Sequence, residues 1–314
     1  MLACADVEEG VTLRSAGVRV PILVLGALSI SGLDGVFEHS LTPTVSTPAA
    51  ARALAKAAAA RSLTIGCHIK IDTGMNRLGF LHENLARTMP EVLCSPGLRV
   101  EAIYTHFASA EVTDTPLFEV QRTCFERALA ALVAMGHLAP LKRHAANSAA
   151  LLRDEGTWYD WVRPGLLLYG IVPPPLAGTI LALRPALSLQ SRIVAIKGIR
   201  AGEGAGYGWR WTTDKPRTIA IVPAGYADGL DTRLGGRGFV LVRGRRVPIV
   251  GAVSMNMMTI DVTGLGATPG DEVVLIGKQG EEEITVGEMA AIVGTIPWEV
   301  LCRIGAQTVR QYVD

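Results

Sequence analysis

The sequence lacks features that are typical of several classes of protein. Its 314 residues carry a formal net charge of only +1, so it lacks the basic balance typical of proteins that bind nucleic acids or anionic membranes. No apolar run approaches the roughly 18 residues needed to span a bilayer. The first charged residues are acidic, whereas those of a secretory leader are basic. We therefore expect a compact cytoplasmic protein with no nucleic-acid or membrane partner.

Cysteines are also few. The five are Cys4, Cys67, Cys94, Cys124 and Cys302. Their number is odd, they are scattered, and they show neither the CxxC pattern nor the Cys/His spacing of a metal site. We expect reduced, buried cysteines that act as small apolar side chains, and no bound metal.

Up to about residue 180, short apolar runs alternate with helical stretches. The apolar runs are Met1–Ala5, Pro21–Leu25, Leu41–Val45, Thr64–Ile71, Leu98–Thr105, Leu141–Ala145 and Trp161–Leu168. The helical stretches include Pro48–Arg61, with Thr47 as its N-cap, and Phe118–Met135. This alternation predicts an α/β fold with a parallel sheet, most economically a (β/α)8-type barrel. A barrel needs one more strand than these runs supply, and the first run begins at Met1, so we expect the barrel to lack its first strand.

After about residue 180, β-branched runs separated by glycine-rich turns predict a mainly β domain. The runs are Ser188–Ile199, Thr218–Val222, Phe239–Val242, Val247–Val253, Met258–Val262 and Glu272–Ile276. Thr285 and Glu288 have the spacing of a capping box and predict one helix. The sequence thus predicts an incomplete barrel at residues 1–180 and a C-terminal β domain at residues 181–314.

Polar groups follow several of the predicted barrel strands, where α/β barrels carry their functional residues. Each group taken alone has a simpler explanation. Taken alone, His106 is consistent with a hydrogen-bonded core histidine, and Asn147 and Ser148 are consistent with the cap of a helix. Gly165 suits a turn, and Arg163 suits a surface charge.

Taken together, these segments resemble the alanine racemase family. The motifs are KIDTGMNRLGF, YTHFASA, HAANSAA, VRPGLLLYG, GYG, VPAGYADG and GAVSMNMMTIDV, and their order and spacing follow the family across essentially the whole chain. The resemblance implies a barrel followed by a β domain. It also implies interconversion of L-alanine and D-alanine through an imine of pyridoxal 5'-phosphate, supply of D-alanine for peptidoglycan, and a homodimer with shared active sites.

The resemblance assigns a cofactor-binding role to one set of residues. Ser148 and the amides of Gly165 and Leu166 would hold the phosphate, because helix starts and open amides favour negative charge. Arg163 would face the pyridine nitrogen, where a permanently charged donor keeps that nitrogen unprotonated. The remaining assignments are His106 against the ring, His144 hydrogen-bonded to Arg163, and Asn147 supporting the same cluster.

A second set would handle the substrate. Arg77 would contact the cofactor's phenolic oxygen and the substrate carboxylate, and Lys70, carbamylated in some members, would brace it. Two unmodified cations side by side would repel each other, which favours the modification. Met255 would bind the carboxylate through its amide. Tyr226 and Arg233 would line the entrance.

Tyr207, in the GYG segment, matches the tyrosine that serves as one of two acid/base groups and reaches the partner subunit's site. Racemisation removes the α-proton on one face and replaces it on the other, so it needs two groups. The second is a lysine in an AVVKANAYGHG-like motif, and none of this sequence's six lysines stands in such a motif. The chain therefore looks N-terminally truncated and, as given, inactive.

Two further positions depart from the family pattern. Asn256 stands where many members have aspartate, and Trp298 stands in place of a phosphate-binding tyrosine. These departures leave alternatives open. One is a non-catalytic relative that binds pyridoxal phosphate, although such a protein would have no need of Tyr207. The others are a racemase of another small amino acid and a decarboxylase on a related barrel. The KIDTGMNRLGF and HAANSAA motifs favour a racemase over the decarboxylase.

Overall fold

A computed structural model describes residues 1–29, 31–136, 141–173, 176, 182–304 and 308–313. The chain forms two compact units. One comprises Met1–Gly165, and the other comprises most of the chain from Leu166 onwards. The predicted boundary between residues 180 and 181 lies outside the described residues.

The first unit is built on a parallel sheet. Its strands are β1 (Leu2–Cys4), β2 (Ile22–Val24), β3 (Thr42–Val45), β4 (Ile65–Asp72), β5 (Phe80–Leu81), β6 (Leu98–Tyr104), β7 (Lys142–Asn147) and β8 (Trp161–Arg163). They lie in the order β1-β2-β3-β4-β6-β7-β8, with β5 beside β4. Each predicted apolar run overlaps one of these strands, and the α/β barrel-type sheet is confirmed.

One predicted strand is too long. The run Trp161–Leu168 is a strand only to Arg163. Pro164 follows, which has no amide proton for a ladder hydrogen bond, and Gly165–Leu168 forms a short helix instead. The short strand β5 was not expected.

Helices connect the strands of this unit. They are α1 (Val7–Ser15), α2 (Leu33–Glu38), α3 (Pro48–Ala60), α4 (Leu85–Leu93), α5 (Leu117–Ala134) and α6 (Ser148–Arg153). The short helix α7 (Gly165–Leu168) follows the last strand, where the chain passes into the second unit. The predicted start of α3 is confirmed: Pro48 is its first residue, and the Thr47 side chain accepts a hydrogen bond from the Ala50 amide at 3.1 Å.

The main core of this unit packs one face of the sheet against the helices. Along β4, Cys67, Ile69 and Ile71 belong to this apolar core and are fully buried. Side chains alternate along a strand, so His68 and Lys70 lie on the opposite face. Both are at most 5% exposed. That second face is buried but polar, and it carries the candidate site.

The second unit is mainly β, as predicted. Its strands are β9 (Leu189–Arg192), β10 (Ala195–Ile199), β11 (Gly204–Ala205), β12 (Trp211–Thr212), β13 (Arg217–Val222), β14 (Phe239–Val242), β15 (Arg245–Val250), β16 (Met258–Asp261), β17 (Glu272–Gln279) and β18 (Glu282–Ile284). The larger sheet has the order β10-β13-β16-β15-β14-β17-β18, and β9 pairs with β17. The predicted run Ser188–Ile199 is two strands, because β9 and β10 pair with different neighbours.

Two helices follow in this unit, α8 (Val286–Val293) and α9 (Pro297–Arg303). Thr285 caps α8 as predicted, accepting from the Glu288 amide at 3.0 Å. The capping box is incomplete, because the Glu288 carboxylate binds the Arg246 guanidinium instead. Helix α9 was not predicted from the sequence.

The cysteines are free, as expected, but not all are buried. Cys94, at the end of α4, and Cys302, in α9, are exposed. Within the ranges given above, no helix is both long enough and apolar enough to cross a membrane.

Candidate active site

Polar side chains from neighbouring strands meet on the buried polar face of the first sheet. Lys70 on β4, Tyr104 on β6 and His144 on β7 stand side by side in register. The Tyr104 ring stacks on His144 with centroids 4.6 Å apart and planes at 9°. The Lys70 Nζ lies 5.7 Å from the centre of the Tyr104 ring, and the Arg163 guanidinium carbon lies 5.3 Å from it. Tyr104 is thus an aromatic platform for two cations.

Arg163, at the end of β8, is held from several sides. Its Nη1 donates to the His144 Nδ1 at 2.7 Å. Its Nη2 donates to the carbonyls of Thr105 at 2.7 Å and Ala145 at 2.8 Å, and lies 3.4 Å from the His106 Nδ1. In the part of the chain that the structure describes, no carboxylate pairs with it. Arg163 is therefore a fixed cation without a counter-ion, not the surface charge that its position alone suggested.

The histidines around Arg163 are neutral at physiological pH. Burial, reinforced by the charge of Arg163, lowers the pKa of His144 to about 2 and that of His106 to about 3. Burial also lowers the pKa of Arg163, to about 10, which leaves the guanidinium charged at neutral pH. The positive charge of this cluster therefore comes from Arg163 and its cationic neighbours, and the imidazoles act as hydrogen-bonding groups.

Burial and neighbouring cations destabilise the charged form of Lys70. Lys70 is 5% exposed. Burial, then the charges of Arg77 and Arg163, lower its pKa to about 8, while Asp72 acts in the opposite sense. Lys70 and Arg77 thus repel each other as unmodified cations, as the sequence led us to expect.

The loop that carries Arg77 is fixed at its base by Asp72. The Asp72 carboxylate accepts hydrogen bonds from the amides of Gly74 at 2.9 Å and Asn76 at 3.1 Å. Gly79 has a φ of 131°, and a Cβ there would lie 2.6 Å from the Asp72 amide nitrogen, so only glycine fits. Arg77 itself is exposed. The KIDTGMNRLGF segment thus presents an arginine from a rigid turn beside the cationic cluster.

The segment after β7 starts a helix, as the simpler explanation proposed. The Asn147 side-chain Oδ1 accepts from the Ala150 amide at 3.0 Å, and its Nδ2 donates to the Phe107 carbonyl at 3.2 Å. Ser148 is the first residue of α6 and is 8% exposed. Beside Gly165, a Cβ would meet no atom within 4 Å among the described residues. Neighbouring atoms therefore do not require glycine there, and space is left for a ligand.

In the second unit, Tyr207 projects from a turn. Gly206 and Gly208, on either side, have φ values of 72° and 70°. A Cβ on Gly206 would also lie 3.0 Å from the Ala252 amide nitrogen. Glycines therefore shape this turn, and the Tyr207 side chain is 77% exposed at its tip.

Met255 lies in a loop pinned to the GYADG segment. The amide of Tyr226 donates to the Ser254 carbonyl at 3.0 Å, and that of Ala227 donates to the Met255 carbonyl at 2.9 Å. A Cβ on Gly225 would lie 2.3 Å from both carbonyl oxygens. Across the described ranges, the Met255 amide donates to no other residue. It is thus open to a ligand.

Asp231 links two other sequence-predicted residues of this unit, because it lines the same cavity as Tyr226 and pairs with Arg233. Tyr226 lines a cavity of about 480 Å³, and Arg233 pairs with Asp231 at 2.6 Å. Trp298 is the second residue of α9 and is partly buried. Asn256 is exposed.

Two residues that sequence reasoning missed belong to the cluster of the first unit, Tyr104 and His68. Tyr104 opens the YTHFASA motif, and His68 lies two residues before Lys70, so strand alternation places it on the same face. That spacing was the available signal for His68. Of the six lysines, all within the described ranges, only Lys70 is placed in this cluster.

Comparisons with known proteins agree with this geometry. Residues 1–173 match the sequence model for the alanine racemase N-terminal domain, and residues 186–312 match that for the alanine racemase C-terminal domain. The chain belongs to the alanine racemase family. It is 42% identical over 314 residues to an alanine racemase of Carboxydothermus hydrogenoformans, covering 99% of this chain and 84% of that protein. It is 40% identical over 312 residues to one of Syntrophobacter fumaroxidans, covering 99% and 83%.

Solved structures of the family have the same fold. The alanine racemase of Streptomyces coelicolor A3(2) superposes with a TM-score of 0.93 at 32% identity, covering all of this chain and 84% of that one. That of Bacillus anthracis, with bound L-Ala-P, superposes with a TM-score of 0.89 at 36% identity, covering 97% and 78%. The fold and the family expected from the sequence are confirmed.

Proposed function

We propose that this member of the alanine racemase family is an isomerase that interconverts L-alanine and D-alanine with pyridoxal phosphate, supplying D-alanine for peptidoglycan. One observation supports this most strongly. The Arg163 guanidinium is fixed by an imidazole and two carbonyls and, within the described chain, pairs with no carboxylate. Such a cation suits a neutral ring nitrogen, because a permanent donor prevents that nitrogen from taking a proton.

The residues of the first unit fit this cofactor, which is an anion. Arg77 and Arg163 supply positive charge, and the neutral histidines add none. We assign Arg163 to the ring nitrogen, His106 to the face of the ring, and Ser148 with the amides of Gly165 and Leu166 to the phosphate. The start of α6 favours an anion, and the space beside Gly165 admits one. His144 and Asn147 would position these groups, and the Trp298 indole N–H would be a further donor for the phosphate.

Pyridoxal phosphate, when bound to an amino acid, withdraws electrons from the α-carbon and makes its proton acidic. The chain's own residues then have to hold the substrate and move the proton. We assign the substrate carboxylate to Arg77, which also contacts the cofactor's phenolic oxygen, and to the open amide of Met255. A bidentate guanidinium and a backbone amide together fix the orientation of the α-carbon.

We assign proton transfer at one face of the α-carbon to the Tyr207 hydroxyl. Its exposure at the tip of a glycine turn suits a group that reaches a partner subunit's site. We accordingly propose a homodimer in which each active site takes Tyr207 from the other subunit, with Tyr226 and Arg233 at the entrance. A cytoplasmic location is part of the same proposal.

We also propose that Lys70 is carbamylated. Because its pKa is lowered to about 8, part of the amine is neutral at neutral pH and can attack the carbon of CO2. The nitrogen–carbon bond forms as a proton leaves the amine for solvent. The product is an anion, which turns repulsion of Arg77 into attraction and so braces the arginine that holds the substrate.

The first test is racemisation itself. Because none of the chain's own lysines stands in the family's lysine motif, the chain is first extended before residue 1 with a lysine segment of the family type. The extended protein is incubated with pyridoxal phosphate and L-alanine, and the enantiomers are separated by chiral chromatography. We expect conversion to equal amounts of L-alanine and D-alanine. If pyridoxal phosphate binds while no amino acid is racemised, the protein is a non-catalytic relative and the proposed activity is wrong. Faster conversion of another small amino acid would instead change the substrate.

A further inference from the structure

His68 on β4 and His144 on β7 meet although β6 lies between their strands. The His68 Nδ1 lies 3.1 Å from the His144 Nε2. The residue of β6 in register with His68 is Ala102. Because Ala102 carries only a methyl group, the two rings can meet over β6.

The hydrogen bonds from Arg163 to His68 run in one direction. A guanidinium can only donate, so the His144 Nδ1 accepts from Arg163 and carries no proton. Burial holds the pKa values of His144 and His68 at about 2 and about 4, so each ring is neutral and carries a single proton. The proton of His144 is therefore on Nε2 and is donated to the His68 Nδ1. The proton of His68 is consequently on its Nε2.

His68, the last residue in this series of hydrogen bonds, is shielded from solvent. The His68 ring is fully buried and stacks on Trp161, with centroids 5.7 Å apart and planes at 22°. Its Nε2 has no hydrogen-bond partner among the described residues. The charges that act on His68 are the Glu101 carboxylate, which favours its protonated form, and Arg163, which disfavours it. Within the described chain, the His68 Nε2 proton thus has no acceptor, whereas the His68 Nδ1 accepts a hydrogen bond from His144.

We propose that His68 is a positioning residue of the cofactor site: it accepts the Nε2 proton of His144 and so holds His144, and through it the Arg163 guanidinium, in the orientation that faces the cofactor's ring nitrogen. The role assigned to the guanidinium rests on the proposed function. The direction of the hydrogen bonds does not, because it follows from Arg163 and the two rings alone.

Two substitutions separate this role from simple packing. In His68→Asn, the amide oxygen takes the place of the Nδ1 acceptor. In His68→Leu, the volume is largely kept and the acceptor is lost. The 314-residue chain is labelled with ¹⁵N, and the ring nitrogens are observed by NMR without cofactor. We expect the wild-type protein to show His144 and His68 each protonated at Nε2 and unprotonated at Nδ1.

In His68→Leu, the His144 Nε2 proton loses its acceptor, so we expect its exchange with solvent to quicken roughly 5- to 150-fold. In His68→Asn, the wild-type exchange rate should largely return. The ring signals of His82, which lies between β5 and α4 and outside the cluster, serve as an internal control and should not change. A merely space-filling role for His68 would not separate the two variants in this way.

Two outcomes would overturn the proposal. One is a proton on the His144 Nδ1 in the wild-type protein, a measurement that needs no variant to fold. The other is an equal exchange rate in all three proteins. As a second readout, pyridoxal phosphate should bind more weakly to His68→Leu than to the wild-type protein, with affinity recovered in His68→Asn. A failure of the racemase assay alone leaves the NMR result intact, so the two proposals fail separately.

Discussion

Replacing Tyr207 with phenylalanine is expected to lower alanine racemisation roughly 100- to 10,000-fold in both directions, in a preparation that racemises alanine. Each direction has to pass through proton transfer at both faces, and the phenolic hydroxyl supplies one of them. Cofactor binding should persist, because Tyr207 lies 77% exposed on a turn and is not part of the Arg163 cluster. The assay is chiral chromatography, with cofactor content measured in parallel.

Exchange of the α-proton with solvent deuterium tells which face Tyr207 serves. In Tyr207→Phe, exchange on L-alanine should fall with racemisation, while exchange on D-alanine survives better. The matched control is Tyr312→Phe, since Tyr312 is also exposed, at 91%, and lies in the C-terminal tail. It should behave as the unaltered protein. Equal loss of exchange on both enantiomers, with binding intact, would show that Tyr207 is not a face-specific base.

The second large effect concerns Lys70 and the pH dependence of stability. Its folded-state pKa of about 8 lies below the ordinary value of 10.5. Below pH 8 the amine is charged in both states, and the folded protein bears the full cost of burying it. Between about pH 8 and 10.5 only the folded protein releases the proton, so stability rises with pH through this window. In CO2-free buffer, Lys70→Met should therefore be more stable than the unmodified protein at pH 7, by about 3 kcal/mol.

Denaturant unfolding at several pH values measures this difference. The gain in Lys70→Met should shrink steadily from pH 8 to pH 10. Lys56→Met serves as the control, because Lys56 is exposed on α3 and its replacement should leave the pH dependence unchanged. Adding ¹³C-bicarbonate should give a carbamate signal in the unaltered protein and in Lys56→Met, but not in Lys70→Met. A Lys70→Met protein less stable than the unmodified one at pH 7 would contradict the electrostatic account.

The strands of the first unit could be predicted because parallel strands buried on both faces are nearly continuous apolar runs. The exception shows the limit of that rule. Trp161–Leu168 is apolar apart from Arg163, yet Pro164 ends the ladder and the remaining residues form α7. Composition alone cannot separate a buried strand from a short buried helix. The split of Ser188–Ile199 was missed for a related reason, since a change of pairing partner leaves no mark in a continuous strand-like run.

The residues of the site that carry or bind the cation could be predicted from the sequence, and the residues that position them could be predicted less well. Arg163 and His144 were expected from their motifs, and the structure brings them within 2.7 Å. Tyr104 and His68 were not singled out, because an aromatic or a histidine inside a strand is usually a core residue. Their importance comes from register across β4, β6 and β7, which depends on the whole sheet.

Binding of pyridoxal phosphate to the Arg163 cluster tests the central claim most directly. Isothermal titration calorimetry compares the unaltered chain with Arg163→Met and with Arg52→Met, a control at an exposed arginine of α3. We predict one cofactor per chain, affinity lowered roughly 10-fold or more in Arg163→Met, and no change in Arg52→Met. Unfolding curves confirm that each variant is folded. Equal affinity in a folded Arg163→Met protein would contradict the assignment of this cluster as the cofactor site.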